Sequence, residues 1–116
     1  MIKVRSLYDI PQDLLESSDV IMIDEAQFFV ELVLNKIVEY LQSGIDVVAV
    51  GLDLDSDGKP FGSMPYLLSV ANNVYKLTGV CTCCSEEATR TFRKLSAPTD
   101  AQILIGGKET YEPRCL

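Results

Sequence analysis

The sequence contains no histidine among its 116 residues. That absence removes the commonest general base and half of the usual zinc-ligand vocabulary. Acid–base chemistry must then fall to a carboxylate, a lysine, a cysteine or a tyrosine. No stretch reaches the roughly 18 unbroken apolar residues of a membrane span. The opening MIKVRSLYDIPQD has no long apolar segment behind a basic one, so no secretory signal is expected. Basic residues are in deficit: 10 Lys and Arg face 17 Asp and Glu, a net charge of -7. The basic stripe of a general nucleic-acid binder is therefore missing, although a few local groups can still receive a small anion. Internal repeats and low-complexity segments are absent too. At 47% hydrophobic, the chain has apolar material for a moderately deep core, as one small domain or a piece of a larger one.

What is present reads first as alternating strand and helix. Ile2 to Leu7 predicts a short strand, and Pro11 to Ser17 a helix of one or two turns. Val20-Ile21-Met22-Ile23 is a continuous apolar run that predicts a strand buried on both faces. Glu31 to Ser43 carries Leu34, Ile37, Val38 and Leu41 at helical spacing, and Gly44 stops it. Val47 to Val50 is a second buried-strand signal. Strand, helix and strand within about 30 residues make a βαβ unit, and hence a parallel sheet. Residues 52–63 form a polar loop, and Met64 to Ala71 a short helix. Further strands are expected at Val74 to Val80, Ala88 to Leu95 and Gln102 to Ile105, the last two joined by a turn at Ser96-Ala97-Pro98. Gly106-Gly107 then opens a tail, KETYEPRCL. The texture changes near residue 80, which predicts an α/β part over 1–79 and a small β subdomain over 80–116.

The decapeptide VIMIDEAQFF places Asp24 and Glu25 at the end of the first apolar run. Ligands of α/β sheets bind beyond the carboxyl ends of strands. In a phosphoryl-transfer site the first carboxylate serves magnesium and the second takes a proton from the attacking hydroxyl. The pair also reads as an ordinary loop start or helix cap. Asp-Glu-Ala-Gln resembles a helicase motif as well, though a helicase would want basic surfaces.

Four cysteines are present, Cys81, Cys83, Cys84 and Cys115. A metal site or buried thiols suit them better than a disulfide framework. Cys81 and Cys84 form a C-x-x-C pair that can hold two corners of a tetrahedral zinc, with Cys115 as a third ligand. Buried thiols without metal are the alternative, because the second pair is incomplete.

Taken together, VIMIDEAQFF, KPFG, VYKLTGVCTCC, ATRTFRK and IGGKETYEPRC resemble, in order and spacing, the motifs of type II (zinc-containing) thymidine kinases over roughly residues 18–115. Five motifs in register displace the helicase and loop readings. The resemblance implies a partial P-loop-type parallel sheet with flanking helices, followed by a zinc-ribbon-like β subdomain. It implies transfer of the terminal phosphoryl group of magnesium-bound ATP to the 5′-hydroxyl of thymidine, in a cytoplasmic homotetramer without membrane or nucleic-acid partners.

By the same resemblance Glu25 is the general base, and Asp24 and Gln27 lie on the cofactor side. Phe28 packs near the sugar or base, and Leu52 and Phe61 line the thymine pocket. Thr91 faces the thymine methyl, while Leu104, Ile105 and Gly106 lie beside the base. Tyr111 bonds the sugar from a lasso hinged at Gly106-Gly107, which closes and excludes water. Cys81, Cys84 and Cys115 match three structural zinc ligands. Outside the family context, Phe28 and Phe61 read as core aromatics and Tyr111 as a surface tyrosine.

Three departures qualify the match. There is no G-x-x-x-x-G-K-[ST] to cradle ATP phosphates, and Gly106-Gly107-Lys108 does not replace it. The chain is therefore expected to be inactive alone, as a fragment, one part of a split enzyme or a non-catalytic remnant that binds nucleoside or a partner. A helicase-like or zinc-ribbon nucleic-acid module is the more distant alternative. Ser56 stands where relatives carry a stacking aromatic, a loss on the order of 1 kcal/mol, and Asp57 where bacterial relatives often carry a basic residue. The fourth zinc ligand of the family lies a few residues beyond its third, past Leu116, so the site is expected to be three-coordinate with water, completed by Cys83, or vacant.

Overall fold

The computed structural model describes residues 6–29, 33–94 and 110–116. The strand expected at Gln102 to Ile105 and the turn at Ser96-Ala97-Pro98 lie outside them, as do residues 2–5 of the first expected strand. Leu7, the end of that expectation, instead opens a single 3-10 turn, Leu7–Asp9, whose start is capped by the Ser6 hydroxyl accepting from Tyr8 N–H. Pro11, with φ of -58°, leads into α1 (Gln12–Glu16).

The expected βαβ unit is present. β1 (Val20–Ile23) pairs in parallel with β2 (Asp46–Ala49), in the register Val20↔Asp46 to Ile23↔Ala49. Between them runs α2 (Val33–Gln42), closed at Gly44, whose φ of +79° suits a residue without a side chain. Leu7, Leu15, Ile23, Ala26, Ile37, Tyr40, Ile45, Met64 and Leu67 form the buried core of this part. The Tyr40 hydroxyl donates to Leu7 C=O at 3.0 Å inside that core. Tyr40→Phe is expected to lower stability by about 1 kcal/mol, read as a lower urea midpoint at unchanged slope; no shift would mean the bond contributes nothing.

Burial of the strands on both faces is not what the structure has. Ile21 and Ile23 point to the core, while Val20 and Met22 stand 50% and 76% exposed. On β2, Val47 packs against the core, and Val48 with the following Val50 is exposed. The alternation is that of a one-sided sheet. Among the described residues, packed elements cover only one face.

α3 (Met64–Val70) forms as expected and buries Met64 and Leu67. The later strands differ from expectation. Val74 to Val80 yields only β3 (Gly79–Val80); Tyr75 and Leu77 are 84% and 91% exposed, and no strand among the described residues is laddered to them. Of the strand expected at Ala88 to Leu95, Leu95 lies outside the described residues, and the rest divides into β4 (Glu87–Ala88) and β5 (Arg90–Arg93), because the chain changes partner there. β4 pairs with β3, and β5 with β6 (Tyr111–Arg114), both antiparallel. The tail thus carries a strand in spite of Pro113, tolerated where its missing N–H is not needed.

By contacts the chain divides into two compact units, Met1–Asp53 with Gly62–Ala71, and Leu54–Phe61 with Asn72–Leu116. The first holds the parallel pair and its helices; the second holds the cysteines and the antiparallel pairs. The architecture is mixed α/β with a zinc-ribbon-like subdomain.

Candidate functional site

β1 delivers Asp24 and Glu25 to its carboxyl end, where both side chains are exposed. Val50 N–H donates to Ile23 C=O at 2.8 Å, and Ala26 N–H to Val50 C=O at 2.9 Å, so the ladder with β2 runs past the turn. Glu25 itself is left-handed, φ 52° and ψ 45°, an uncommon conformation for a residue with a side chain. A 3-10 turn, Ala26–Phe28, follows. The Asp24 carboxylate accepts from Glu25 N–H at 2.9 Å. Gln27 is 2% exposed; its amide nitrogen donates to Glu25 Oε2 at 2.6 Å and its amide oxygen accepts from Leu52 N–H at 3.1 Å. The buried Ser63 hydroxyl donates to Ala26 C=O at 3.0 Å. The acid turn is therefore braced from inside, with its carboxylates outward.

A depression of about 500 Å³ lies elsewhere in this unit, lined by Leu15, Asp19, Lys36, Tyr40 and Ile45 among others. Asp19 and Ile45 precede β1 and β2, so the depression sits at the opposite strand ends from the acids. Sheet topology favours the acid end for ligand chemistry.

In the second unit, β3 and β4 frame the cysteine turn. Cys81 N–H donates to Glu86 C=O at 2.8 Å and Ser85 N–H to Cys81 C=O at 3.0 Å, with Ser85 left-handed at φ 64°. Thr82 N–H donates to Pro113 C=O at 3.1 Å, which draws the end of β6 alongside. The sulfurs of Cys81, Cys84 and Cys115 thereby come within 4.8 Å of one another, and those of Cys84 and Cys115 within 3.6 Å. Thiolates sharing a tetrahedral zinc at about 2.3 Å lie about 3.8 Å apart. The donor set fits a metal ion in a second respect. Backbone N–H groups of Cys115, Cys83 and Cys84 act on the Cys81 sulfur and bring its thiol down to about 6. The Cys115 thiol moves to about 11, mainly through its contacts with the Cys84 and Cys81 sulfurs. Cys83 is exposed and outside the group; its part is the backbone N–H.

A family model described as thymidine kinase matches residues 1–116. The chain belongs to the thymidine kinase family. It is 45% identical over 104 residues to a thymidine kinase of Coprothermobacter proteolyticus, an alignment covering 86% of this chain and 52% of that protein. The chain thus spans about half the length of the curated relative it matches.

The residues implicated by resemblance to this family fall into separate groups. Asp24, Glu25, Gln27, Phe28 and Leu52 lie in the first unit, with Phe28 and Leu52 each nearly half exposed. Phe61, Thr91 and Tyr111 lie in the second. Phe61 is buried at 7% exposure. Thr91 pairs with Pro113 and Arg93 with Tyr111, so Thr91 and Tyr111 stand diagonally on one face of the β5–β6 ribbon, with the Arg93 guanidinium 6.0 Å from the Tyr111 ring centre. Leu104, Ile105 and Gly106 lie outside the described residues. Sequence reading missed Ser63, whose bond spans 37 residues. It also missed Asp55, buried at 4% exposure, whose carboxylate accepts from the N–H groups of Asp57 and Lys59. An Asp ahead of Asp-Gly is a turn signal that could have revealed the latter.

Proposed function

We propose that this chain is the acid-motif and nucleoside-clamp part of an enzyme that transfers the γ-phosphoryl group of ATP to the 5′-hydroxyl of thymidine, a deoxynucleoside salvage step supporting DNA synthesis in the cytoplasm. The observation that carries the reading is Glu25, exposed at the carboxyl end of β1 and held by the buried Gln27 amide. Glu25 accepts the proton of the attacking hydroxyl. Asp24 and Gln27 belong to the cofactor side, where magnesium, when bound, neutralises phosphoryl charge. Phe28, Leu52, Phe61, Thr91, Leu104, Ile105 and Gly106 surround the nucleoside, and Tyr111 bonds its sugar.

Cys81, Cys84 and Cys115 hold a structural zinc. We keep the division into a kinase part, 1–79, and a zinc and lasso part, 80–116, and a homotetrameric assembly, as parts of the same proposal. No helix among the described residues is long and apolar enough to cross a membrane. These 116 residues contain no G-x-x-x-x-G-K-[ST], and we propose that they do not turn over ATP on their own.

Calorimetry tests the nucleoside reading. Thymidine is expected to bind saturably, and Tyr111→Phe to weaken it about fivefold. A flat titration with the unaltered chain sinks the reading. Thymidine-dependent ATP turnover by the chain alone would overturn the proposed inactivity.

A further inference from the structure

We propose that Gln27 is a positioning residue: its buried amide, anchored on the backbone beyond β2, fixes the Glu25 carboxylate against the nucleoside 5′-hydroxyl. The inference rests on the reading of Glu25 as the group that meets that hydroxyl. Gln27 belongs to no apolar core pattern, yet it is 2% exposed. Both ends of its amide are engaged, the oxygen by Leu52 N–H at 3.1 Å and the nitrogen by Glu25 Oε2 at 2.6 Å.

Its orientation is determined by chemistry. Turning the amide over would set its N–H₂ against the Leu52 donor and its oxygen against the Glu25 carboxylate, two repulsive contacts in place of two bonds. Packing locks it further. A Cβ on Gly51 would come 2.5 Å from Gln27 Oε1, and one on Gly62 2.0 Å from Gln27 C=O. Gly51 thus packs directly against the amide oxygen, and Gly62 against the Gln27 main chain from which the side chain springs.

The consequence falls on Glu25. An exposed glutamate on a loop samples many rotamers, and ordering it costs free energy at the moment of binding. The charge-assisted bond to Gln27 takes Oε2 and leaves Oε1 to accept the substrate proton. Gln27 acts only through Glu25 in this respect, in addition to its place on the cofactor side.

The test compares thymidine with 5′-deoxythymidine, which lacks the reacting hydroxyl. The unaltered chain is expected to favour thymidine about tenfold. Gln27→Met is expected to cut that preference to about twofold, whatever affinity the two nucleosides lose in common. Equal weakening of both ligands, with the preference intact, overturns the proposal and leaves Gln27 a purely structural residue.

A second measurement needs neither ligand nor a folded variant at Gln27. In the unaltered chain the Gln27 side-chain amide protons are expected to exchange slowly in NMR, one of them shifted downfield. Glu25→Ala should return that proton to the ordinary amide region while Leu52 N–H stays in place. A fast-exchanging amide indifferent to Glu25→Ala overturns the positioning role. If the amide responds as expected but neither nucleoside binds, the Gln27–Glu25 link stands and the nucleoside reading fails.

Discussion

Cys81→Ser is expected to reduce bound zinc from about one per chain to below about a tenth, and to melt the second unit well below the first. Little else holds that unit. Among its described residues only Phe61, Cys81 and Ala88 are buried apolar side chains, against nine in the core of the first unit. β3 and β4 are two residues each, and β3 is exposed. A cluster this small is stabilised by a staple rather than by apolar burial. Structural zinc supplies about 10–16 kcal/mol of apparent binding free energy in comparable small sites, far more than two short antiparallel strand pairs can contribute.

Serine removes the sulfur on which three backbone N–H groups act, and its hydroxyl does not ionise in the working pH range. Metal analysis and calorimetry with a chelator give the readout. Chelation should lower the melting temperature of the second unit by more than about 10 °C and leave the first near its original value. Full zinc content in Cys81→Ser, or no response to chelator, would remove zinc from the description. The acidity of the thiols adds a sign. At pH 7.5 Cys81, at about 6, is already mostly thiolate, whereas Cys115, at about 11, still holds its proton. Metal uptake must displace that proton, so apparent affinity should rise at least about tenfold per pH unit between 7 and 8.

Gly62→Ala is the second large effect. Gly62 has φ of +50°, and an added Cβ would stand 2.0 Å from Gln27 C=O, a backbone atom that cannot step aside alone. The left-handed conformation costs about 1–2 kcal/mol for alanine, and relieving the overlap must shift the acid turn itself. A total near 3 kcal/mol or more is expected, a large share of the stability of a small domain. Gly44→Ala is the control. Its φ is +79°, but nothing lies within 4 Å of the new methyl, so it should lose only about 1 kcal/mol. Denaturant midpoints for the two variants decide the matter; equal losses would mean that the contact with Gln27 is unimportant.

The parallel pair, the two helices after residue 30 and the cysteine trio were legible because each rests on local pattern: apolar runs, 3.6-residue spacing, C-x-x-C. The exposed side of β1 and β2 was not, since Val-Ile-Met-Ile has the same composition whether one face or two are covered. β6 was hidden because Tyr-Glu-Pro-Arg lacks strand periodicity and is a strand only by virtue of β5 across from it. Val74 to Leu77 failed in the opposite sense, with strand-like residues but no strand paired to them among the described residues. In the acid turn, Asp24 and Glu25 could be read from the run that precedes them. The bond between Leu52 and Gln27 could not, because the Gln27 amide oxygen accepts from a backbone N–H 25 residues away, and pairing over such a distance leaves no mark on local spacing.

Glu25 is the one residue of the acid turn whose main chain sits in a region that L-residues avoid. Glycine would rest there at lower energy, by about 1 kcal/mol or more. Under the role proposed for Glu25, the position is one where thermodynamic comfort and reactivity pull in opposite directions. Any search for hardier versions of this protein that scores folding alone would be drawn to erase the carboxylate.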